Sequence, residues 1–171
     1  MKEAEKILKL MDEINYGWVD KEGNPHTKLQ DMIKMYMLQT PEELIKSKVG
    51  VCWDQVELER YYFKQEGIDI KSYFIVHLDG GRNACHTTIS FEENGKYYWF
   101  EHAWAMHRGI KEFDTEEELL EEVKKHFIEI ELKDGYDKDK LFIYNYSEPK
   151  SHIGSIEFYE QAMKGKIVKR G

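Results

Sequence analysis

The sequence has no long apolar segment. No run approaches the roughly 20 apolar residues that a membrane-spanning helix needs, and the largely charged start, Met1 to Lys6, lacks the apolar centre of a signal peptide. We therefore expect a cytoplasmic protein without a membrane partner. Hydrophobic residues at 41% and charged residues at 34% are typical of a folded soluble chain. The length of 171 residues predicts a single domain over 1–171.

Positive charge and cysteine are also scarce. The formal net charge is −8, and non-specific nucleic-acid binding requires a basic surface, so we predict no nucleic-acid partner. The chain has 2 cysteines, Cys52 and Cys85, which do not form the pattern of a disulfide framework. This usage is typical of proteins from a reducing compartment.

One cysteine lies at the predicted start of a helix. Gly50 interrupts the preceding segment, and apolar residues recur at helical spacing from Val56 to Phe63. Gly67 then suits the left-handed position that ends many helices. Because the first turn of a helix has free N–H groups and the positive end of the dipole, it favours the thiolate form of Cys52. Most unpaired cysteines are only small core residues, so this position alone does not decide the function.

The other periodic segments predict the fold class. Apolar spacing and capping residues predict helices at 3–14, 28–38, 40–47, 115–127 and 155–163. Residues rich in β-branched and aromatic types predict strands at 68–78, 84–92, 96–104 and 140–146, with a turn at 79–83. The segment 15–27 is predicted to be a loop, and the basic tail at 164–171 is predicted to be frayed. This order predicts an α+β fold in which helices pack on an antiparallel β-sheet.

A predicted hairpin brings a histidine and a carboxylate together. Asn94-Gly95 is the strongest short hairpin signal, and it makes Glu93 pair with Lys96. Continuing that register places His86 and Glu101 as diagonal neighbours on one face, about 7–8 Å apart at the backbone. A carboxylate that orients a histidine, which in turn serves a nucleophile, is the logic of a catalytic triad.

The same register leaves two other arrangements open. On the opposite face, His102 lies diagonal to Cys85, so Cys85 is a rival nucleophile, although it lacks a helix terminus. That face reads as the buried one because it carries Ile89, Phe91, Tyr98 and Phe100. A core cysteine and a structural histidine explain this second pair adequately, so we prefer Cys52 as the nucleophile. A metal site made of Cys52, Cys85, His86 and His102 lacks the usual ligand spacing, and we predict no metal.

The order of these motifs resembles the transglutaminase-like superfamily, within the papain-like cysteine-protease fold. The resemblance rests on Thr40-Pro41-Glu42-Glu43, Gly50-Val51-Cys52-Trp53-Asp54, Gly67-Ile68, His86 and Trp99-Phe100-Glu101. It covers about 40–104 and implies a papain/transglutaminase-like core. It also implies Cys52 as nucleophile, His86 as base and Glu101 as third member. The family usually has aspartate at that third place, so the longer glutamate implies a different strand spacing or a weaker role.

The residues and the resemblance together predict a cysteine-dependent acyl-transfer enzyme. We expect a thiol peptidase or amidase that hydrolyses an amide or isopeptide bond through an acyl-enzyme on Cys52, or a transamidase. The partner would be a peptide or protein substrate, and no cofactor is implied. The backbone N–H of Cys52 would bind the oxyanion, with Trp18, Gln39 or Trp53 as candidates for the second donor.

The alternative is a non-enzymatic module that binds peptides or proteins and retains the fold. Aromatic side chains would then line a peptide groove, although core packing accounts for most of them. The aromatic residues considered are Trp53, Tyr97, Trp99 and Trp104. A complete set of cysteine, histidine and carboxylate favours the enzyme, because a binding module needs no thiolate beside a base.

Overall fold

The computed structural model describes residues 1–80 and 83–171. Its helices are Lys2–Met11 (α1), Met32–Met35 (α2), Pro41–Ser47 (α3), Cys52–Gln65 (α4), Glu116–Glu131 (α5) and Ser155–Ala162 (α6). Its strands are Asn15–Tyr16 (β1), Trp18–Val19 (β2), Pro25–His26 (β3), Val49–Gly50 (β4), Ile70–His77 (β5), Ala84–Glu93 (β6), Lys96–Glu101 (β7), Gly109–Phe113 (β8), Leu141–Tyr146 (β9) and Lys166–Arg170 (β10). Short 3-10 turns lie at Ala105–His107 and Lys138–Lys140.

Six strands form one antiparallel sheet in the order β10-β9-β5-β6-β7-β8. The β6–β7 hairpin turns at Asn94 and Gly95, whose φ angles of 53° and 73° suit a two-residue hairpin loop. Glu93 pairs with Lys96 as predicted. The α+β class, with helices packed on an antiparallel sheet, is confirmed.

Both faces of the sheet are buried. On one face, the ring of Phe63 in α4 lies 5.3 Å from Phe91 and 5.2 Å from Phe100. On the other face, Trp99 packs in a core cluster with four residues of α5. The residues of α5 in that cluster are Leu119, Leu120, Val123 and Phe127. We expected the first face to be the buried one, but α5 buries the second as well.

Several predicted elements have different bounds. The helix predicted at 28–38 is limited to Met32–Met35, because Asp31 has a left-handed φ of 62° immediately before it. The prediction of a frayed tail was wrong, since β10 pairs with β9 at the sheet edge. Lysine and arginine are common on such edge strands, where they oppose aggregation. The predicted turn at 79–83 includes Gly81 and Arg82, which lie outside the described residues.

Within 1–80 and 83–171, none of the helices has both the length and the apolar character needed to cross a membrane. The assignment of 1–171 to a single domain stays a prediction.

Candidate active site

The elements before α4 lead the chain directly to Cys52. Thr40 caps α3 as predicted: its hydroxyl accepts from the Glu43 N–H at 3.2 Å, and the Glu43 carboxylate accepts from the Thr40 N–H at 3.3 Å. Strand β4 follows, and Gly50 at its end is tightly packed. A Cβ at Gly50 would lie 2.7 Å from the Leu44 side chain. Glycine is therefore required where the chain enters α4.

Asp54 holds the first turn of α4 from inside the protein. Its carboxylate accepts from the backbone N–H of Val51 at 3.1 Å and of Gln39 at 3.0 Å. Burial raises the pKa of Asp54 to about 7, although the backbone hydrogen bonds from Gln39 and Val51 oppose the rise. Because Asp54 binds the residue just before Cys52, it fixes the backbone from which the thiol projects.

His86 and Glu101 form the predicted hydrogen bond. His86 Nε2 lies 2.8 Å from Glu101 Oε2, and both residues are only 2% exposed. The other carboxylate oxygen, Oε1, accepts from the Trp104 N–H at 3.0 Å. The indole of Trp104 stacks on the imidazole, with 3.6 Å between ring centroids and 5° between planes. The imidazole is therefore held both at its edge and on its face.

Cys52 reaches the same imidazole from α4. Burial lowers the pKa of His86, but the charge of Glu101, the side-chain hydrogen bond with Cys52 and the hydrogen bond to Glu101 outweigh it and raise the pKa to about 9. Because Nε2 is bonded to Glu101, Nδ1 is the nitrogen left for the thiol. The structure thus brings Cys52, His86 and Glu101 together. Their catalytic roles stay predictions.

The rival histidine has structural partners. His102 Nδ1 lies 2.7 Å from Gln55 Oε1, and Nε2 lies 3.3 Å from Asp12 Oδ1. The amide nitrogen of Gln55 donates to the Gly50 carbonyl at 2.9 Å, which leaves its oxygen to accept from His102. Both nitrogens of His102 are therefore occupied. This arrangement favours the structural interpretation of His102 over a role as base for Cys85.

The family comparison agrees with the motif order. Residues 1–131 match the family described as a transglutaminase-like domain. The chain belongs to this transglutaminase-like family. The match includes Cys52, His86 and Glu101, and it ends where α5 ends, before β9, α6 and β10. A search of curated proteins found no match to the chain.

The three candidates for a second oxyanion donor in this transglutaminase-like domain have other environments. Trp18 Nε1 donates to the Lys28 carbonyl at 2.7 Å, and Gln39 Nε2 donates to the Val49 carbonyl at 2.8 Å. Trp53 Nε1 is buried and has no hydrogen-bond partner in the described part of the chain. Its ring stacks on Phe158, with 4.4 Å between centroids. None of these donors is open to a substrate that arrives from solvent.

Sequence reasoning missed the contact of Trp104 with His86 and the position of Tyr16 in a strand. Trp53 and Trp99 are core residues, whereas Trp104 is partly exposed and covers His86. Its position shortly after Glu101 was the available signal. Tyr16 lay in a segment read as a loop, but it belongs to β1, which pairs in parallel with β4. No sequence signal identifies such a two-residue pairing.

A cavity of about 630 Å³ lies beside the start of β6. Its lining includes Ala84, two residues before His86, and His77 on β5. The lining also includes the residues from Glu131, the last residue of α5, to Asp137. In the described ranges 1–80 and 83–171, no group of three or more His, Cys, Asp or Glu side chains is arranged to hold a metal ion.

Proposed function

We propose that this transglutaminase-like domain is a cysteine-dependent acyl-transfer enzyme that hydrolyses an amide, peptide or isopeptide bond through an acyl-enzyme on Cys52. The observation that carries the proposal is a buried imidazole with two partners, the Glu101 carboxylate and the Cys52 thiol. A buried charge is stable only with such partners. Membership of the transglutaminase-like family supports the same class of reaction.

The proposed reaction begins with proton sharing between Cys52 and His86. The imidazolium, held by Glu101, leaves Cys52 as a thiolate that attacks the substrate carbonyl carbon. A C–S bond forms, and the electron pair of the C=O bond moves to the oxygen. When the tetrahedral intermediate collapses, the C–N bond breaks and His86 gives its proton to the leaving amine. Neutral His86 then takes a proton from water, or from a second amine in transamidation, as that nucleophile bonds to the acyl carbon. The C–S bond breaks, the acid or new amide leaves, and Cys52 is again a thiolate beside protonated His86.

Glu101 and Trp104 would orient His86 for formation of the acyl-enzyme and for its hydrolysis or aminolysis. The Glu101 carboxylate fixes the proton on Nε2, so that Nδ1 faces the reacting atoms, and it stabilises the imidazolium. The stacked indole of Trp104 prevents the ring from turning away. Because Glu101 also accepts from the Trp104 N–H, the residue that orients the imidazole is itself oriented.

The nucleophile can be tested by labelling with an electrophilic peptide probe, such as a peptide vinyl sulfone. We expect Cys52→Ala to abolish labelling and Cys85→Ala to leave it largely intact. The two variants are matched, since each removes one sulfur from the same chain. Labelling that is lost in Cys85→Ala and kept in Cys52→Ala would assign the nucleophile to Cys85 and overturn the proposal.

A binding module is the second candidate, because Cys52 is only 5% exposed and Trp104 covers His86. The rate of iodoacetamide alkylation at different pH values separates the two. A free thiol, with a pKa of about 8.5, reacts very slowly at pH 6. An enzyme with a thiolate–imidazolium pair should still be alkylated at Cys52 at that pH. Alkylation that begins only near pH 8 in the folded protein would favour the binding module.

A further inference from the structure

Attack by Cys52 would create a negative oxygen that needs two hydrogen-bond donors. The N–H of Cys52 lies in the first turn of α4, where helix geometry provides no internal partner, and it is a natural first donor. The indole and amide donors considered above are engaged elsewhere or enclosed in the core. Another element that reaches the start of α4 can supply the second donor.

Strand β1 brings Tyr16 to that position. Tyr16 pairs in parallel with Gly50, two residues before Cys52. Hydrogen bonds hold β1 on both sides of Tyr16, from Asn15 N to the Lys48 carbonyl at 2.8 Å and from Gly17 N to the Gly50 carbonyl at 3.4 Å. The backbone of Tyr16 is thus fixed relative to the backbone that carries the thiol.

The Tyr16 side chain is 49% exposed. Its hydroxyl makes no hydrogen bond with the residues in 1–80 and 83–171. Partial burial of the side chain raises the pKa of Tyr16, and negative charge on Cys52 and then on Cys85 raises it further. Tyr16 therefore keeps its proton, and it lies within electrostatic range of the Cys52 sulfur. A neutral phenol within electrostatic range of a thiolate can donate a hydrogen bond to an anion formed there.

We propose that the Tyr16 hydroxyl is the second oxyanion donor, acting with the backbone N–H of Cys52. This inference rests on the proposed function of Cys52. As the C–S bond forms and the carbonyl π electrons move to oxygen, Tyr16 O–H donates a hydrogen bond to that oxygen. Its proton stays on the phenol, and the hydrogen bond weakens when the carbonyl re-forms. Tyr16 would then be a catalytic residue that contacts the reacting oxygen.

Two reactions of Cys52 that differ only in the oxyanion provide the test. Acylation by p-nitrophenyl acetate passes through a tetrahedral oxyanion, whereas alkylation by iodoacetamide is a direct displacement without one. We expect Tyr16→Phe to slow acylation by roughly tenfold or more. It should leave the rate of alkylation within about twofold of wild type, because the thiolate itself is unchanged. Tyr61→Phe, which removes a hydroxyl from the second half of α4, is the matched control and should change neither rate.

Each outcome has a distinct meaning. If Tyr16→Phe changes neither rate, or slows both equally, Tyr16 is not an oxyanion donor. If wild type is not acylated, or if Cys52→Ala is acylated as fast as wild type, the proposed function itself fails, and with it this inference. Circular dichroism and a thermal melt confirm that the variants are folded, which we expect because Tyr16 is half-exposed.

Discussion

The effect of the negative charge of Glu101 on the pKa of His86 can be tested. The pKa of His86 is about 9, compared with an ordinary value of 6.5. At 1.36 kcal/mol per pKa unit, the surroundings favour the imidazolium by about 3 kcal/mol, even though burial opposes it. Glu101→Gln keeps the size of the side chain but removes its charge. We expect the pKa of His86 to fall in this variant, because burial is then opposed mainly by Cys52.

Nitrogen-15 NMR of the imidazole rings, recorded from pH 5 to 10, measures this shift directly. Glu122→Gln is the matched control, because Glu122 Oε1 lies 2.8 Å from Nε2 of His126 in a similar carboxylate–histidine pair. That variant should leave the titration of His86 unchanged. The Cys52→Ala variant shows how much of the rise in the pKa of His86 comes from Cys52 and how much comes from Glu101.

The same pKa predicts how stability depends on pH. Because the pKa of folded His86 lies above its unfolded value, folding favours the protonated ring. The contribution of protonated His86 to the free energy of unfolding is fully present below about pH 6.5 and is lost as the pH rises through about 9. Urea unfolding should therefore show a difference between wild type and Glu101→Gln that is largest, at up to about 3 kcal/mol, near pH 6 and smaller near pH 10. A wild-type His86 pKa near 6.5, or one unaffected by Glu101→Gln, would refute this account of the site.

Three further predictions concern activity and packing. The kcat/KM of acyl transfer should fall as the pH rises through about 9, because His86 then loses the proton that it gives to the leaving amine; a constant rate up to pH 10 would contradict this role. Glu101→Asp should reduce kcat strongly in a steady-state assay, because the shorter side chain does not reach both His86 and the Trp104 N–H; unchanged kcat would show that the extra methylene is not needed. Phe158→Ala should lower the free energy of unfolding by about 3–5 kcal/mol in urea, because it leaves a cavity against Trp53; a loss below about 1 kcal/mol would mean that the stacking adds little stability.

The parts of the site that depend on local sequence could be predicted. Helical spacing and Gly50 indicated the start of α4 at Cys52. The Asn94-Gly95 turn indicated the β6–β7 register, and His86 and Glu101 lie just beyond the last pair of that ladder. The parts that depend on contacts between distant segments could not. The pairing of β1 with β4, which positions Tyr16, involves only two residues of each strand and leaves no periodic pattern. The β10 edge strand was missed for a related reason, because its lysines and arginine resemble a solvated tail.

The glutamate at the third position is explained by the place where the two strands stop pairing. The β6–β7 ladder is regular from Glu93–Lys96 to Ile89–Phe100 and ends there. Beyond that point the Thr88 hydroxyl donates to the Phe100 carbonyl at 3.1 Å. Polar backbone groups that lose their ladder partners in a buried region must find others. Glu101 supplies one for the Trp104 N–H while its second oxygen holds His86. Because the two strands no longer pair here, one side chain must reach both His86 and the Trp104 N–H. This reach needs the additional methylene, so glutamate suits the local geometry better than aspartate.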